Sequence, residues 1–144
     1  EVLMTNKKKV LFVCTQNSAR SQMAEGLLRY FHGDRYEAYS AGTNPFKVNP
    51  FAIKAMANLG IDISSHYSKS FDELANREFD VVVTVCDNAK ENCPYFAGGK
   101  KYIHHSFSDP AVQKGSDAEI LTQFEKVRDE IKLWLDESIE NKTL

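Results

Sequence analysis

The chain has 144 residues, 42% of them hydrophobic, and a formal charge of -2 from 18 Lys and Arg against 20 Asp and Glu. That length suits one core of ordinary size, and the near-neutral balance speaks against a nucleic-acid binder and against an acidic disordered tail. No apolar run approaches the ~18–20 residues of a membrane span. Three cysteines cannot close a disulfide framework, so a reducing, cytoplasmic setting is expected.

Met4 reads as the native start and Glu1 to Leu3 as an appended remnant, so one domain over residues 4–144 is expected. Val10-Leu11-Phe12-Val13 is a short apolar run and predicts a buried strand. Met23, Ala24, Leu27, Leu28 and Phe31 then recur at helical spacing, which predicts a helix over 21–31. Tyr36 to Ala41 alternates and ends at Gly42, a second strand. Asn44-Pro45 and Asn49-Pro50 mark turns. Ile53, Ala55, Met56 and Leu59 predict a helix over 51–59 that stops at Gly60. Ser70 to Asn76 reads as a short helix, Val81 to Val85 as the strongest strand, and Lys101 to Phe107 as a shorter one. From Asp117 to Ile139 an apolar stripe near period 3.6 predicts a long amphipathic helix. The order, written β-α-β-α-β-(α)-β-α, implies an α/β sandwich with a parallel four-stranded sheet covered on both faces. Sites in such sheets form at the carboxyl ends of the strands.

Two segments meet that condition. Cys14 directly follows the first strand, in Cys14-Thr15-Gln16-Asn17-Ser18-Ala19-Arg20-Ser21, and a helix comes next. A tight loop entering a helix turns backbone N–H groups inward and makes an anion nest at the positive helix end. Arg20 can grip two oxygens of a tetrahedral anion. The same field favours thiolate over thiol, which makes Cys14 a candidate nucleophile. Ser21 can donate a hydrogen bond to it, and Asn17 tolerates left-handed backbone. The other reading makes Cys14 a small buried hydrophobe and Arg20 a surface cation. Asp109, in Ser108-Asp109-Pro110 after the fourth strand, can protonate a leaving oxygen, although Asp-Pro is also a common turn.

Cys14-x5-Arg20-Ser21 near the start, with Asp109-Pro110 late in the chain, resembles the low-molecular-weight protein tyrosine phosphatase fold. Within that fold the chain is similar to the thioredoxin-coupled arsenate reductases. The likeness rests on residues 17–26 (NSARSQMAEG), Tyr39-Ser40-Ala41-Gly42, Gly60-Ile61-Asp62-Ile63-Ser64, residues 82–86 (VVTVC), Asn92-Cys93-Pro94 and residues 127–131 (VRDEI). It implies a three-layer sandwich with strand order 2-1-3-4. It also implies that Thr15 to Ser21 hold an oxyanion, arsenate or phosphate. Cys14 then attacks, Arg20 binds and Asp109 supplies a proton. Cys86, which closes the strongest strand, and Cys93, seven residues on, relay the oxidation to thioredoxin. A phosphatase needs Cys14, Arg20 and Asp109 only, and a non-catalytic oxyanion or redox module is a third reading.

Loop support is implied for Asn17, Ser21, Glu25 and Ser40. Some relatives bind potassium through residues matching Asn17, Glu25 and Ser40, with an Asp where Lys69 stands here. An ammonium in that place makes the ion doubtful, so Lys69 is expected to pair with Glu25, and no metal or cofactor is expected. His104 and His105 lack metal-ligand spacing. Nothing in the charge pattern demands a second copy, so a monomer is expected.

Overall fold

The computed structural model describes residues 6–87 and 94–144. The proposed remnant at residues 1–3 and Cys93 both lie outside them. The elements are β1 (Lys8–Cys14), α1 (Arg20–His32), β2 (Tyr36–Gly42), α2 (Pro50–Ala57), β3 (Phe79–Thr84), β4 (Gly99–His104) and α3 (Asp117–Glu140), with short 3-10 turns at Phe71–Leu74 and Pro110–Val112. The strands form one parallel sheet in the order β2-β1-β3-β4, the topology the resemblance implies.

Central β1 is buried on both faces, which explains why its sequence is a continuous apolar run. Val10 and Phe12 point to the side where Met23, Leu27 and Leu28 of α1, Met56 of α2 and Phe124 and Ile131 of α3 pack. Leu11 and Val13 point the other way, against Leu74, Phe79 and Phe96. Among the described residues all three α-helices therefore share one face. The opposite face is covered by the 3-10 turn and an aromatic cluster, in which Phe96 meets the rings of Phe71 and Phe79 edge-on. Both faces of the sheet are thus covered, as expected, one by the α-helices and the other by the short 3-10 helix and its aromatic neighbours. The optional helix written between the third and fourth strands falls on a segment that includes residues 88–93, outside the described residues. The short helical turn precedes β3, and it covers 71–74 rather than 70–76.

Boundaries differ for identifiable reasons. α2 starts at Pro50 because Asn49 caps it, its side chain accepting from the Phe51 N–H at 2.8 Å, so the Asn-Pro turn is the helix start. It ends at Ala57, and Gly60, at φ +85°, completes the turn that follows. β4 runs 99–104 instead of 101–107. It is an edge strand, with Lys100 and Lys101 exposed; past His104 the pairing continues through the His105 N–H to the Thr84 carbonyl (3.0 Å) and the Phe107 N–H to the Val85 carbonyl (3.2 Å), where Phe107 turns into the core. β3 ends at Thr84, so Cys86 lies two residues past it. The ladder continues one step through the Val85 N–H donating to the Val13 carbonyl at 3.1 Å.

Candidate active site

The carboxyl ends of β1, β2 and β4 bring three segments together. The loop 15–19 leaves β1 and enters α1 at Ala19, which provides no side-chain cap. No side chain of Ala19 thus competes for the first-turn N–H groups, and a bound oxyanion can take them. Asn17 sits at φ +51°, the left-handed region that lets the loop curl. The segment 42–49 braces it from outside: the Asn44 N–H donates to the Thr15 carbonyl (2.9 Å), Phe46 to Gln16 (3.3 Å) and Asn49 to Ser18 (2.9 Å).

Cys14 is 3% exposed, and its Sγ lies 2.9 Å from Ser21 Oγ. Asn17 Nδ2 donates to that same hydroxyl oxygen at 2.8 Å, so the single Ser21 proton is left to point at sulfur. Arg20 is buried. Its Nη1 donates to the Phe107 carbonyl at 3.0 Å, and its Nη2 lies 3.7 Å from Asp109 Oδ2. Asp109 is held by accepting from the Ala111 N–H at 3.0 Å, and its side chain keeps 32% exposure. Asp109 is thus part of a cap on the turn 110–112 as well as a carboxylate beside Arg20.

Cys14, Ser18, Arg20 and Asp109 line one cavity of about 610 Å³, with Lys47, Phe46 and Val112 at its rim. Cys86 is not in that lining. It is fully buried in the same core cluster as Cys14 and is in a disulfide, whereas Cys14 is a free thiol.

Behind the loop, Glu25 is buried and accepts from the Ser40 hydroxyl. Lys69 Nζ lies 3.6 Å from its Oε1, and Arg29 Nη2 binds its Oε2 at 2.6 Å. Two cations already face this carboxylate, so the donor set does not suit an added potassium ion. Among the described residues no group of three His, Cys, Asp or Glu is arranged to hold a metal, and no helix is long and apolar enough to cross a membrane.

The model of low molecular weight phosphotyrosine protein phosphatases matches residues 9–141. The chain belongs to this family. Among curated relatives, an arsenate reductase of Halalkalibacterium halodurans is 46% identical over 126 residues, 88% of this chain and 91% of that protein. A solved arsenate reductase in the phosphate binding state superposes with a TM-score of 0.77 at 32% identity, covering 93% of this chain and 98% of that one. A thioredoxin-dependent arsenate reductase of Corynebacterium glutamicum gives 0.65 at 26% identity, covering 94% of this chain and 64% of that one.

Within this member of the family, several participants carried no sequence signal of their own. Gly42 lets the loop approach β2, since a Cβ there would lie 2.4 Å from the Thr15 carbonyl oxygen. Phe46 and Lys47 belong to a turn that the sequence marks only by Asn44-Pro45. Arg29 was readable only as the partner of Glu25 at i, i+4. Phe107 acts through its backbone carbonyl, which no residue type announces.

Proposed function

We propose that this chain is an arsenate reductase that uses Cys14, Cys86 and Cys93 in sequence and is recharged by thioredoxin. The observation that carries the reading is the second cysteine. Cys86 is buried in the cluster that holds Cys14 and is oxidised while Cys14 is free, an arrangement that ester hydrolysis does not need.

The loop N–H groups and Arg20 hold the tetrahedral anion. Cys14 thiolate forms a bond to arsenic, and one As–O bond breaks. Asp109 gives that oxygen its proton, so it leaves as water. Cys86 thiolate then attacks Cys14 sulfur. The S–As bond breaks with its electron pair moving to arsenic, arsenite departs, and a Cys14–Cys86 disulfide remains. Cys93 thiolate attacks Cys86 and frees Cys14. Two thiols have supplied the two electrons that convert As(V) to As(III), and a thioredoxin dithiol reduces the resulting Cys86–Cys93 disulfide. Thr15 to Ser21 form the cradle, and Asn17, Ser21, Glu25, Ser40 and Lys69 support it.

The unit that carries this chemistry is residues 4–144, a cytoplasmic monomer without nucleic-acid or membrane partners and without a resident metal. The reducing demand of the relay and the lack of basic surplus support this. Phosphate esters share the shape and charge of arsenate, and the family's name favours slow ester hydrolysis as a side activity of Cys14, Arg20 and Asp109.

The test is arsenate-dependent NADPH oxidation coupled through thioredoxin and thioredoxin reductase. Cys86→Ser and Cys93→Ser should each abolish turnover while largely sparing hydrolysis of p-nitrophenyl phosphate. Normal arsenate reduction by both variants would overturn the relay.

A further inference from the structure

The nucleophile is the end of a hydrogen-bond chain that runs through half-buried His66 to exposed Arg29. Ser21 gives its proton to Cys14 only while Asn17 presents its amide nitrogen, and not its oxygen, to the Ser21 hydroxyl. A flipped Asn17 would accept that proton and take it from sulfur. What keeps the amide the right way round is the set of donors on its oxygen. Asn17 Oδ1 accepts from the Lys69 N–H at 2.8 Å and from Gln22 Nε2 at 2.9 Å.

Gln22 is itself fully buried. Its amide nitrogen also reaches the Asn17 carbonyl at 3.1 Å and the Tyr67 carbonyl at 3.0 Å, so two protons are shared among three acceptors. The amide oxygen meets His66 Nδ1 at 3.0 Å. His66 Nε2 meets Arg29 Nη1 at 3.2 Å. A guanidinium can only donate, so Nε2 accepts, Nδ1 carries the proton, and Gln22 Oε1 receives it. Each orientation in the chain follows from the one before it, from Arg29 through His66, Gln22, Asn17 and Ser21 to Cys14.

We propose that Gln22, oriented by His66, is a positioning residue for the nucleophile. It fixes the Asn17 amide, and through it the direction of the Ser21 proton toward the Cys14 thiolate. The inference rests on Cys14 as the attacking thiol of the proposed reaction, but its consequence is visible without arsenate.

The experiment is the rate of iodoacetamide trapping at Cys14, mapped by peptide mass, at fixed pH with Cys86 oxidised, because only the thiolate reacts. Thermal melting and arsenate turnover are measured alongside. Gln22→Met removes both ends of the link. Lys69 N–H still holds Asn17, so trapping should fall about tenfold, as expected for losing one hydrogen bond in support of a charged group, and kcat/KM for arsenate should fall with it. The His66 variants separate positioning from bulk. Asparagine can place a donor where Nδ1 was, whereas glutamine reproduces Nε2, the wrong nitrogen. H66N should therefore restore trapping to within about twofold of wild type, and H66Q should fall in line with Gln22→Met. Wild-type trapping in Gln22→Met, or equal trapping in H66N and H66Q, would overturn the proposal. If the wild type reduces no arsenate but trapping still follows this order, the reaction assignment fails and the positioning role stands.

Discussion

Gly42→Ala is the sharpest test of how the loop is held. The added Cβ would sit 2.4 Å from the Thr15 carbonyl oxygen, 2.8 Å from that of Cys14 and 2.9 Å from the Asn17 nitrogen. All three are backbone atoms, so no side chain can swing aside. Relief to van der Waals contact near 3.4 Å requires a displacement of about 1 Å. β2 cannot retreat to provide it, because the Gly42 N–H donates to the Lys69 carbonyl at 2.8 Å and Gly42 bridges to Ser70. The loop must give, and it carries the N–H groups of the cradle. Overpacking of this kind costs about 2–3 kcal/mol, equivalent to a melting point lower by about 5–9 °C at this chain length. A 1 Å misplacement of binding groups costs about a hundredfold in rate. Calorimetry and arsenate turnover measure both. A Gly42→Ala variant that melts within 1–2 °C of wild type (about the spread of a surface change) and turns over normally would refute the argument.

Two further outcomes are expected. Lys47 lines the cavity, its Nζ 5.6 Å from the Phe46 ring centroid, and makes none of the contacts that hold Cys14 or Arg20 described above, so Lys47→Gln should raise KM for arsenate about three- to tenfold at low salt with kcat within twofold. The difference should vanish near 1 M salt, where screening reaches about 3 Å; an unchanged KM at low salt would exclude the attraction. The second concerns pH. Burial, chiefly, holds His66 below the ordinary histidine value, with Arg29 and Lys69 acting the same way and Glu25 and Asp62 opposing. The unfolded chain thus binds this proton more readily than the folded one, so stability falls as pH drops from about 6.5 toward the depressed folded value. His66→Asn should remove that contribution, narrowing the gap in melting temperature between pH 7.5 and 5.5; an unchanged gap would show that His66 does not titrate with folding.

Much of this protein was legible in its residues taken in order. The run Val10 to Val13 predicted a strand buried on two faces because a central parallel strand has no solvent side to encode. The periodicity from Met23 to Phe31 and from Ile120 to Ile139 located two helices, and Cys14 stands where the first strand meets the first of them. Local spacing suffices for such features, since the backbone period dictates which residues share a face. The pairing of Lys69 with Glu25 was reached through family resemblance, but Arg29 proves the nearer cation. Tertiary packing alone decided that the three α-helices among the described residues lie on one side, that the Phe107 carbonyl holds Arg20, and that His66, 44 residues from Gln22, completes the line to the thiol. Those contacts depend on sheet register and on backbone atoms, and a backbone atom is the same in every residue. Amino-acid order therefore determined which groups the protein possesses and, to within a few residues, where its main elements lie. Only the fold, by bringing distant carbonyls and amides within 3 Å of one another, decided which of them act on Cys14.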